Sequence, residues 1–388
     1  MSASTDARPR PVSRPLTVVQ LLPALDSGGV ERGTLEIARA LVAAGHRSLV
    51  VSAGGRLVDA LTREGSEHIE LDVGRKSLAS LWLVPKLRRL FAERGVDIVH
   101  ARSRLPAWLG FLAWRGMDVA TRPRFVTTVH GLNSVGFYSA VMLRGERVIC
   151  VSQTVRDYVL RHYPGSDATR LRVIARGVDP LEFPHGHRPD RDWHKRFVAE
   201  HPALSTPAPW LCLVGRGSRI KGHRHAIELV ADLRDQDSDA RLILLGVSEP
   251  GRERYVDELQ RLAQRLGVGD AVVMTPPRRD VRDVMASCRL VLQLSSQPEA
   301  FGRTVLEALH LGVPVLGYDI GGVGEQLRAL FAPGAVAPGD PAALAERARV
   351  LLQQDLRPPP FSSHGLAQMQ EATLSLYREL QEAPRRCI

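Results

Sequence analysis

The chain has 388 residues, of which 44% are hydrophobic and 24% are charged, a balance typical of globular proteins. This length exceeds what one hydrophobic core comfortably fills, so two domains are expected. No window approaches eighteen uninterrupted apolar residues, which argues against a membrane span, and the net charge of +10 calls for an anionic partner.

Strand-like runs and helical periodicity alternate along the first half of the chain. Its predicted strands are residues 17–22, 47–52, 67–71, 97–101 and 124–129, and its predicted helices are residues 31–44, 57–64, 77–94 and 106–115. A second alternation begins at Trp210, with predicted strands at 210–215, 241–246, 271–275 and 290–294. Because strands that alternate with helices form parallel sheets covered on both faces, an α/β fold is expected.

Two carboxylates, Glu299 and Glu307, stand eight residues apart across a predicted strand-to-helix junction. The apolar run 289–294 is compact enough for a buried strand, and Pro298 separates it from the helix. A helix N-terminus offers unpaired N–H groups and a positive dipole end, and Gly302 permits close approach of a phosphate. An anion-binding site between two acids favours a ligand with both phosphates and hydroxyls, that is, a nucleotide-sugar. Taken alone, such a pair of acids is more typical of a solvated surface.

Two cations follow another strand-like run that ends at Gly215. Ligands of open α/β sheets collect outside the carboxyl ends of the strands, so Arg216 and Lys221 are well placed to neutralise a diphosphate. Solvated loop cations are the alternative interpretation. A further predicted strand, 313–318, and the glycine turn at 321–324 bring a third strand end to the same crevice.

An ordered series of motifs resembles the group 1 (family 4) retaining glycosyltransferases of GT-B fold, over roughly residues 16–380. In the first half the matching segments are Gly28-Gly29-Val30-Glu31-Arg32, Thr127-Thr-Val-His130-Gly131, Val148-Ile-Cys-Val-Ser152 and Val173-Ile-Ala-Arg-Gly-Val-Asp179. In the second half they are Gly215-Arg216…Lys221-Gly222, Glu299-x7-Glu307, Gly312-Val-Pro-Val315 and Gly321-Gly-Val-Gly-Glu325. Eight motifs in order are far more specific than one glycine-rich loop. Arg176 departs from the pattern, since many members carry Asn there, and it is assigned no role.

The resemblance implies two Rossmann-like, doubly wound parallel-sheet domains that face each other across a cleft. The implied division is a disordered tail at 1–15, an N-terminal acceptor-side domain at 16–180, an interdomain segment at 181–209, a nucleotide-sugar-binding domain at 210–365 and a helix at 366–388 that crosses back to the N-terminal domain. The tail mixes Ser, Pro and Arg without an apolar core, unlike a signal peptide. Four cysteines without metal-ligand spacing, namely Cys150, Cys212, Cys288 and Cys387, favour a reduced cytoplasmic setting.

The family roles carry over residue by residue. Arg216 and Lys221 would bind the donor diphosphate and stabilise charge on the leaving nucleotide. Glu307 would hold the ribose hydroxyls, Glu299 would contact the donor sugar, and His130 would hydrogen-bond a hydroxyl of the reacting sugar. The remaining donor-binding residues implied by the resemblance are Gly28, Gly29, Gly215, Phe301, Gly302 and Arg303.

The implied activity is transfer of a sugar, with retention of its anomeric configuration, from a UDP- or GDP-sugar to a glycan or glycolipid acceptor. The setting would be bacterial lipopolysaccharide or related cell-envelope glycan biosynthesis, and Tyr138, Arg144 and Arg147 are expected near enough to the crevice to meet an acidic acceptor. No D-x-D metal motif has a convincing context, so neither a metal nor another cofactor is expected. Two alternatives stay open: a GT-B sugar-nucleotide epimerase and a non-catalytic nucleotide-sugar-binding protein.

The positive charge has two candidate partners. Nucleic acid is disfavoured, because no helix-turn-helix, zinc module or aromatic-basic RNA motif occurs. An anionic membrane, at the cytoplasmic face of the inner membrane, is favoured by the predicted helix 77–94, which could lie on lipid headgroups. That helix combines basic and apolar residues at helical spacing, namely Lys86, Arg88, Arg89, Trp82, Leu83, Leu87 and Leu90. Ordinary packing of this helix on the sheet is the alternative.

Overall fold

The computed structural model of the chain describes residues 14–26, 28–236 and 238–385. The N-terminal part forms a parallel sheet of seven strands in the order β3-β2-β1-β4-β5-β6-β7. These strands are β1 (Thr17–Leu21), β2 (Arg47–Ser52), β3 (Glu67–Glu70), β4 (Ile98–Ala101), β5 (Arg124–Val129), β6 (Arg147–Cys150) and β7 (Leu171–Val173). The helices between them are α1 (Gly29–Ala43), α2 (Val58–Arg63), α3 (Leu83–Glu93), α4 (Arg104–Arg115) and α5 (Phe137–Ala140), with α6 (Gln153–His162) between β6 and β7.

A second parallel sheet has six strands in the order β10-β9-β8-β11-β12-β13. They are β8 (Trp210–Val214), β9 (Arg241–Leu245), β10 (Val272–Thr275), β11 (Leu290–Gln293), β12 (Val315–Tyr318) and β13 (Ala335–Val336). The accompanying helices are α7 (Arg191–Glu200), α8 (His223–Arg234), α9 (Glu253–Arg265), α10 (Val281–Ser287), α11 (Arg303–His310), α12 (Gly321–Leu330), α13 (Pro341–Gln354) and α14 (Leu366–Glu382). The predicted fold class, two Rossmann-like parallel-sheet domains, is confirmed.

The cores of the two sheets consist of strands that are apolar on both faces. β1, β9 and β11 are buried along nearly their whole length, as strands covered by helices on two sides must be. The three described cysteines, Cys150, Cys212 and Cys288, are free thiols within these cores, and Cys387 lies outside the described residues. Among the described residues, no helix is both long and apolar enough to cross a bilayer.

The segment predicted as one helix over 77–94 is divided in two. A 3₁₀ turn covers Leu78–Trp82, and the α-helix begins only at Leu83. Pro85 explains the division, because proline has no N–H for a helical hydrogen bond and is tolerated only in a first turn. Three residues of the predicted lipid-facing set also point inward: Leu87 is fully buried, and Leu83 and Leu90 pack against the core. That part of the prediction is wrong.

The connections between the two sheets are structured. The segment expected to be interdomain, 181–209, contains α7, whose Phe197 ring packs near Trp210 at the start of β8. At the other crossing, Val178 and Gly365 form a parallel β-bridge. Beyond it, α14 packs against α1 and buries Tyr377 completely. The domain boundaries drawn from the sequence stay predictions.

The predicted tail, 1–15, lies almost entirely outside the described residues. Its last two residues are described, and Arg14 forms an ion pair with Asp97, the residue before β4.

Candidate active site

Three strand ends of the second sheet meet at one crevice, as the sequence predicts. β8, β11 and β12 are adjacent in the sheet and end at Val214, Gln293 and Tyr318. Crossover helices follow each of these strands, so the loops that carry the predicted donor-binding residues lie side by side. The motifs at residues 215–222, 299–307 and 321–325 therefore lie at one edge of the sheet, whereas the motif at 312–315 precedes β12 at the opposite edge.

Lys221 and Glu299 form an ion pair in this crevice. The Lys221 Nζ atom lies 2.7 Å from Oε1 of Glu299, and the two side chains are 24% and 22% exposed. Ser295 and Gln293 also donate to that carboxylate, the latter over 3.0 Å. Lys221 is directed here by Gly222, which has φ 79° and would place a Cβ 2.0 Å from the carbonyl oxygen of Leu294. Only glycine fits there.

The other predicted donor-binding residues lie on loops and at the starts of helices in both domains. Arg216 is exposed and makes no hydrogen bond or ion pair with any described residue, so its guanidinium is available to a ligand. Gly302, with φ 86°, precedes α11, and Phe301 is buried beside it. On the opposite domain, Gly28 immediately precedes Gly29, the first residue of α1. Gly28 has φ 149°, in a region that favours glycine.

Glu307 takes part in a buried ionic network that joins the two domains. Its Oε1 atom lies 2.9 Å from Nε of Arg303 and 3.4 Å from Nη1 of Arg32, which belongs to α1 of the N-terminal domain. Arg303 also pairs with Glu36 of α1, and Arg32 pairs with Glu182. Burial raises the pKa of Glu307, whereas the charges of Arg303 and Arg32 lower it. Glu307, the residue predicted to bind the ribose hydroxyls, is thus held by cations from both domains.

His130 follows β5 on the N-terminal wall. It stands one strand away from the end of β6, where Ser152 donates to the carbonyl oxygen of Ala300 over 2.6 Å. Across the same interface, the Glu325 carboxylate accepts from the backbone N–H groups of Gln153 and Thr154 over 3.0 and 2.8 Å. The interface therefore places the edge of the first sheet that carries His130 against the loop that contains Glu299.

A guanidinium determines the protonation of His130. Nη2 of Arg176 lies 2.6 Å from Nδ1 of His130, and because arginine only donates, Nδ1 must accept and the ring proton must be on Nε2. Burial lowers the pKa of His130 well below its ordinary value, and the charges of Arg176 and Arg102 lower it further. A neutral imidazole with Nε2–H can donate to a sugar oxygen but cannot act as a general base through that nitrogen.

Two predicted acceptor residues lie at the wrong end of the sheet. Arg144 precedes β6, and Arg147 is its first residue, so both stand at the amino end of a strand whose carboxyl end faces the cleft. The prediction failed because the segment between His130 and β6 returns to the opposite edge of the sheet before the strand begins. Tyr138 is 41% exposed, and the guanidinium of Arg104 lies 5.2 Å from its ring centroid.

Sequence reasoning missed three residues of the cleft: Arg32, Glu36 and Arg176. The i,i+4 spacing of Arg32 with Glu36, repeated by Arg303 with Glu307, was a readable signal of paired charges but did not show that the pairs meet. For Arg176, the departure from Asn was the available signal. No three His, Cys, Asp or Glu side chains within the described ranges group closely enough to hold a metal ion.

Two parallel-sheet domains with a charged crevice at their carboxyl edges define a GT-B architecture. Comparisons of the chain with known families and solved structures agree with this assignment. Residues 27–181 match the model for Glycosyltransferase Family 4, and residues 197–363 match the model for Glycosyl transferases group 1. A solved glycosyltransferase from Rickettsia africae superposes with a TM-score of 0.80 at 25% identity, covering 96% of this chain and all of that one. The chain belongs to the group 1 glycosyltransferases of GT-B fold.

Two further relatives indicate the range of the family. D-inositol 3-phosphate glycosyltransferase 1 of Catenulispora acidiphila is 28% identical over 295 residues, which is 69% of this chain and 66% of that protein. The chain thus spans just under two thirds of the length of this curated relative. HepE of Anabaena, solved in complex with UDP and glucose, has a TM-score of 0.74 at 21% identity and covers 94% of this chain and all of that one. At that identity the likeness concerns the fold.

Proposed function

We propose that this chain is a retaining glycosyltransferase that moves a sugar from a nucleoside diphosphate sugar to a hydroxyl of a phosphorylated or lipid-linked glycan acceptor. The observation that carries the proposal is the Lys221–Glu299 ion pair of 2.7 Å at adjacent strand ends. A cation for the diphosphate and a carboxylate for sugar hydroxyls stand within contact distance of each other, beside the N-terminus of α11.

The proposed chemistry needs no proton acceptor from the protein. The bond from the anomeric carbon to the diphosphate oxygen breaks, and the acceptor hydroxyl oxygen forms the new bond on the same face of the sugar. The acceptor proton passes to the leaving diphosphate. Lys221 and Arg216 stabilise the charge that develops there, and the Nε2–H group of His130 donates to the sugar. Glu307 holds the ribose hydroxyls.

A donor and acceptor screen tests this proposal. UDP-, GDP- and ADP-sugars are incubated with inositol phosphates, sugar phosphates and bacterial glycolipids, and release of nucleoside diphosphate is measured. We expect one donor to be consumed only when an acceptor is present, with the anomeric configuration of the product, determined by NMR, equal to that of the donor. Epimerisation or hydrolysis at the same rate without any acceptor would replace the transferase proposal, and binding without turnover would favour a nucleotide-sugar-binding protein.

In the same assay, EDTA is expected to leave the rate largely unchanged. The diphosphate charge is neutralised in this proposal by Lys221, Arg216 and backbone N–H groups, so no divalent ion is needed for it. The rate is compared before and after chelation, and after addition of Mg²⁺ or Mn²⁺. Activity that is lost in EDTA and restored only by a metal would show that a metal takes over this neutralisation.

We also propose that the N-terminal domain contacts anionic membrane, at the cytoplasmic face of the inner membrane for a lipid-linked bacterial acceptor. Leu78 and Trp82, in the 3₁₀ turn before α3, are 87% and 77% exposed. Exposed cations flank them, namely Arg75, Lys76, Lys86, Arg88 and Arg89. Apolar side chains surrounded by cations suit the headgroup region of an anionic bilayer.

Vesicle binding is expected to fall when Lys86, Arg88 and Arg89 are replaced together by Gln. Each cation near an anionic surface contributes about 1 kcal/mol that salt screens, so cosedimentation with anionic vesicles should also weaken as salt rises. Affinity for nucleoside diphosphate should stay unchanged. As a matched control, three exposed arginines of α9 on the other domain, Arg254, Arg261 and Arg265, are replaced by Gln. Equal binding to neutral and anionic vesicles, or to neither, would refute the membrane proposal.

A further inference from the structure

Two guanidinium groups lie buried side by side beneath the N-terminal wall of the cleft. Arg102 and Arg176 are 3% and 8% exposed, and neither has a carboxylate oxygen of any described residue within 4.0 Å. A Cβ on Gly33 would lie 2.1 Å from Nη1 of Arg176 and 3.1 Å from Nη2 of Arg102, so the two groups are neighbours. Two like charges that have lost their hydration require compensation, which an anion would provide.

A cavity of about 20 Å³ adjoins both guanidinium groups. His130, His100 and Thr128 also line it, and the rest of its lining is largely apolar. His100 donates or accepts at both nitrogens already, towards Tyr377 over 2.7 Å and Thr128 over 2.6 Å. No carboxylate is among its lining residues.

One polar atom left over at this cavity is a hydrogen-bond donor. Nε of Arg102 is shielded from solvent and bonds to no described residue, and Nε of arginine always carries a proton. A donor without an acceptor, beside two positive charges, matches an anion better than it matches a cation or an apolar group.

The size of the cavity limits the anion. One water-sized particle needs about 10–15 Å³ of such space, so 20 Å³ admits a single small particle and no carboxylate or phosphate group. We propose that this cavity binds one monatomic anion of the chloride class between Arg102 and Arg176. The ion holds the Arg176 guanidinium in place, and through it the orientation and tautomer of His130. The inference does not depend on the proposed function.

The titration of the two arginines agrees with this assignment. Burial and, after it, the charge of Arg102 lower the pKa of Arg176 to about 9, against the opposing effect of Glu36 and Glu31. Burial is also the main cause that lowers the pKa of Arg102 to about 10. A bound anion between the two groups acts in the same direction as those carboxylates, favouring the charged forms.

The test compares thermal unfolding in sodium chloride and in sodium gluconate at equal ionic strength, since gluconate is too large for the cavity. We expect the Tm of the parent chain to be higher in chloride by about 2 °C or more, because a ligand that binds only the folded state raises its stability. Arg176→Gln is expected to abolish the difference. Arg104→Gln, which removes an equal charge from an arginine outside the cavity lining, is expected to preserve it.

Crystals grown in bromide provide a second measurement that needs no variant. An anomalous peak at the cavity, within contact distance of both guanidinium groups, is the expected result. A peak of water height without anomalous signal, or identical Tm values of the parent chain in the two salts, would overturn the proposal. If Arg176→Gln does not fold, the bromide peak in the parent chain decides the question by itself.

Discussion

Replacing Lys221 by Ala is expected to lower kcat/KM by about two to three orders of magnitude, as when one preorganised electrostatic stabiliser worth roughly 3 kcal/mol is removed. The ammonium group is held 2.7 Å from Glu299 by a glycine turn at the end of β8, so its position costs no reorganisation during the reaction. Its loss leaves the diphosphate charge to Arg216 and to the N–H groups before α11. The affinity for nucleoside diphosphate should fall as well.

The matched control for this variant is Arg219→Ala. Arg219 lies in the same 3₁₀ turn, is 65% exposed and pairs with Glu258 on α9 instead of pointing into the crevice. Its removal should change kcat/KM by less than about threefold, since exposed ion pairs contribute at most about 1 kcal/mol. Steady-state kinetics with the cognate donor and acceptor decide the outcome. Unchanged turnover in Lys221→Ala would remove this residue from the proposed site.

Replacing Glu307 by Gln is expected to lower the free energy of unfolding by about 3 kcal/mol and to weaken binding of the nucleoside diphosphate. The substitution keeps the shape of the side chain but removes a charge that is 91% buried, where it neutralises Arg303 and Arg32. Arg303, with 18% of its side chain exposed, is then paired with Glu36 alone. Thermal or urea unfolding measures the first effect, and calorimetric titration with UDP or GDP measures the second.

Glu182→Gln is the control for charge removal in this network. Glu182 pairs with Arg32 at the rim of the cleft, where half of its side chain is exposed, so its loss should cost no more than about 1 kcal/mol. The comparison also tests the charge state of Glu307. Burial raises the pKa of Glu307 and the two arginines lower it. If Glu307 is protonated at neutral pH, Gln reproduces it and the two variants will be equally mild, contrary to our expectation.

The strand ends of the second domain were predictable because each was marked by local chemistry. The apolar run of β8 ends at Gly215 and is followed by Arg216, and the apolar run of β11 is followed by Pro298. A helix begins a few residues after each of these interruptions. Parallel topology then requires these ends to share one edge of the sheet, which is why Lys221 and Glu299 could be assigned to one crevice before their contact was known. The contact itself, across 78 residues of sequence, follows from β8 and β11 being neighbours.

The amphipathic pattern of α3 predicts the wrong partner for the apolar face of this helix. Leu87 and Leu90 recur at a spacing that suits a membrane face as well as a sheet-packing face, and periodicity does not say which partner covers them. The structure decides: these residues pack on the first sheet, and the exposed apolar residues are those of the preceding turn. Pro85, visible in the sequence, already marked where the helix had to begin.

The sequence by itself determined the two-domain α/β fold and the family, because hydrophobic periodicity and strand-end motifs are local properties of the chain. Only the tertiary structure decided which charges meet. Arg32 reaches Glu307 across 275 residues, and Arg303 reaches Glu36 across 267. Arg176 meets His130 only because β5 and the segment after β7 end at the same edge of the sheet. A charged side chain has the same local signature whether it faces water or a partner from another domain, so its pairing, and the buried cation cluster beneath the cleft, depend on how the two domains and their helices pack.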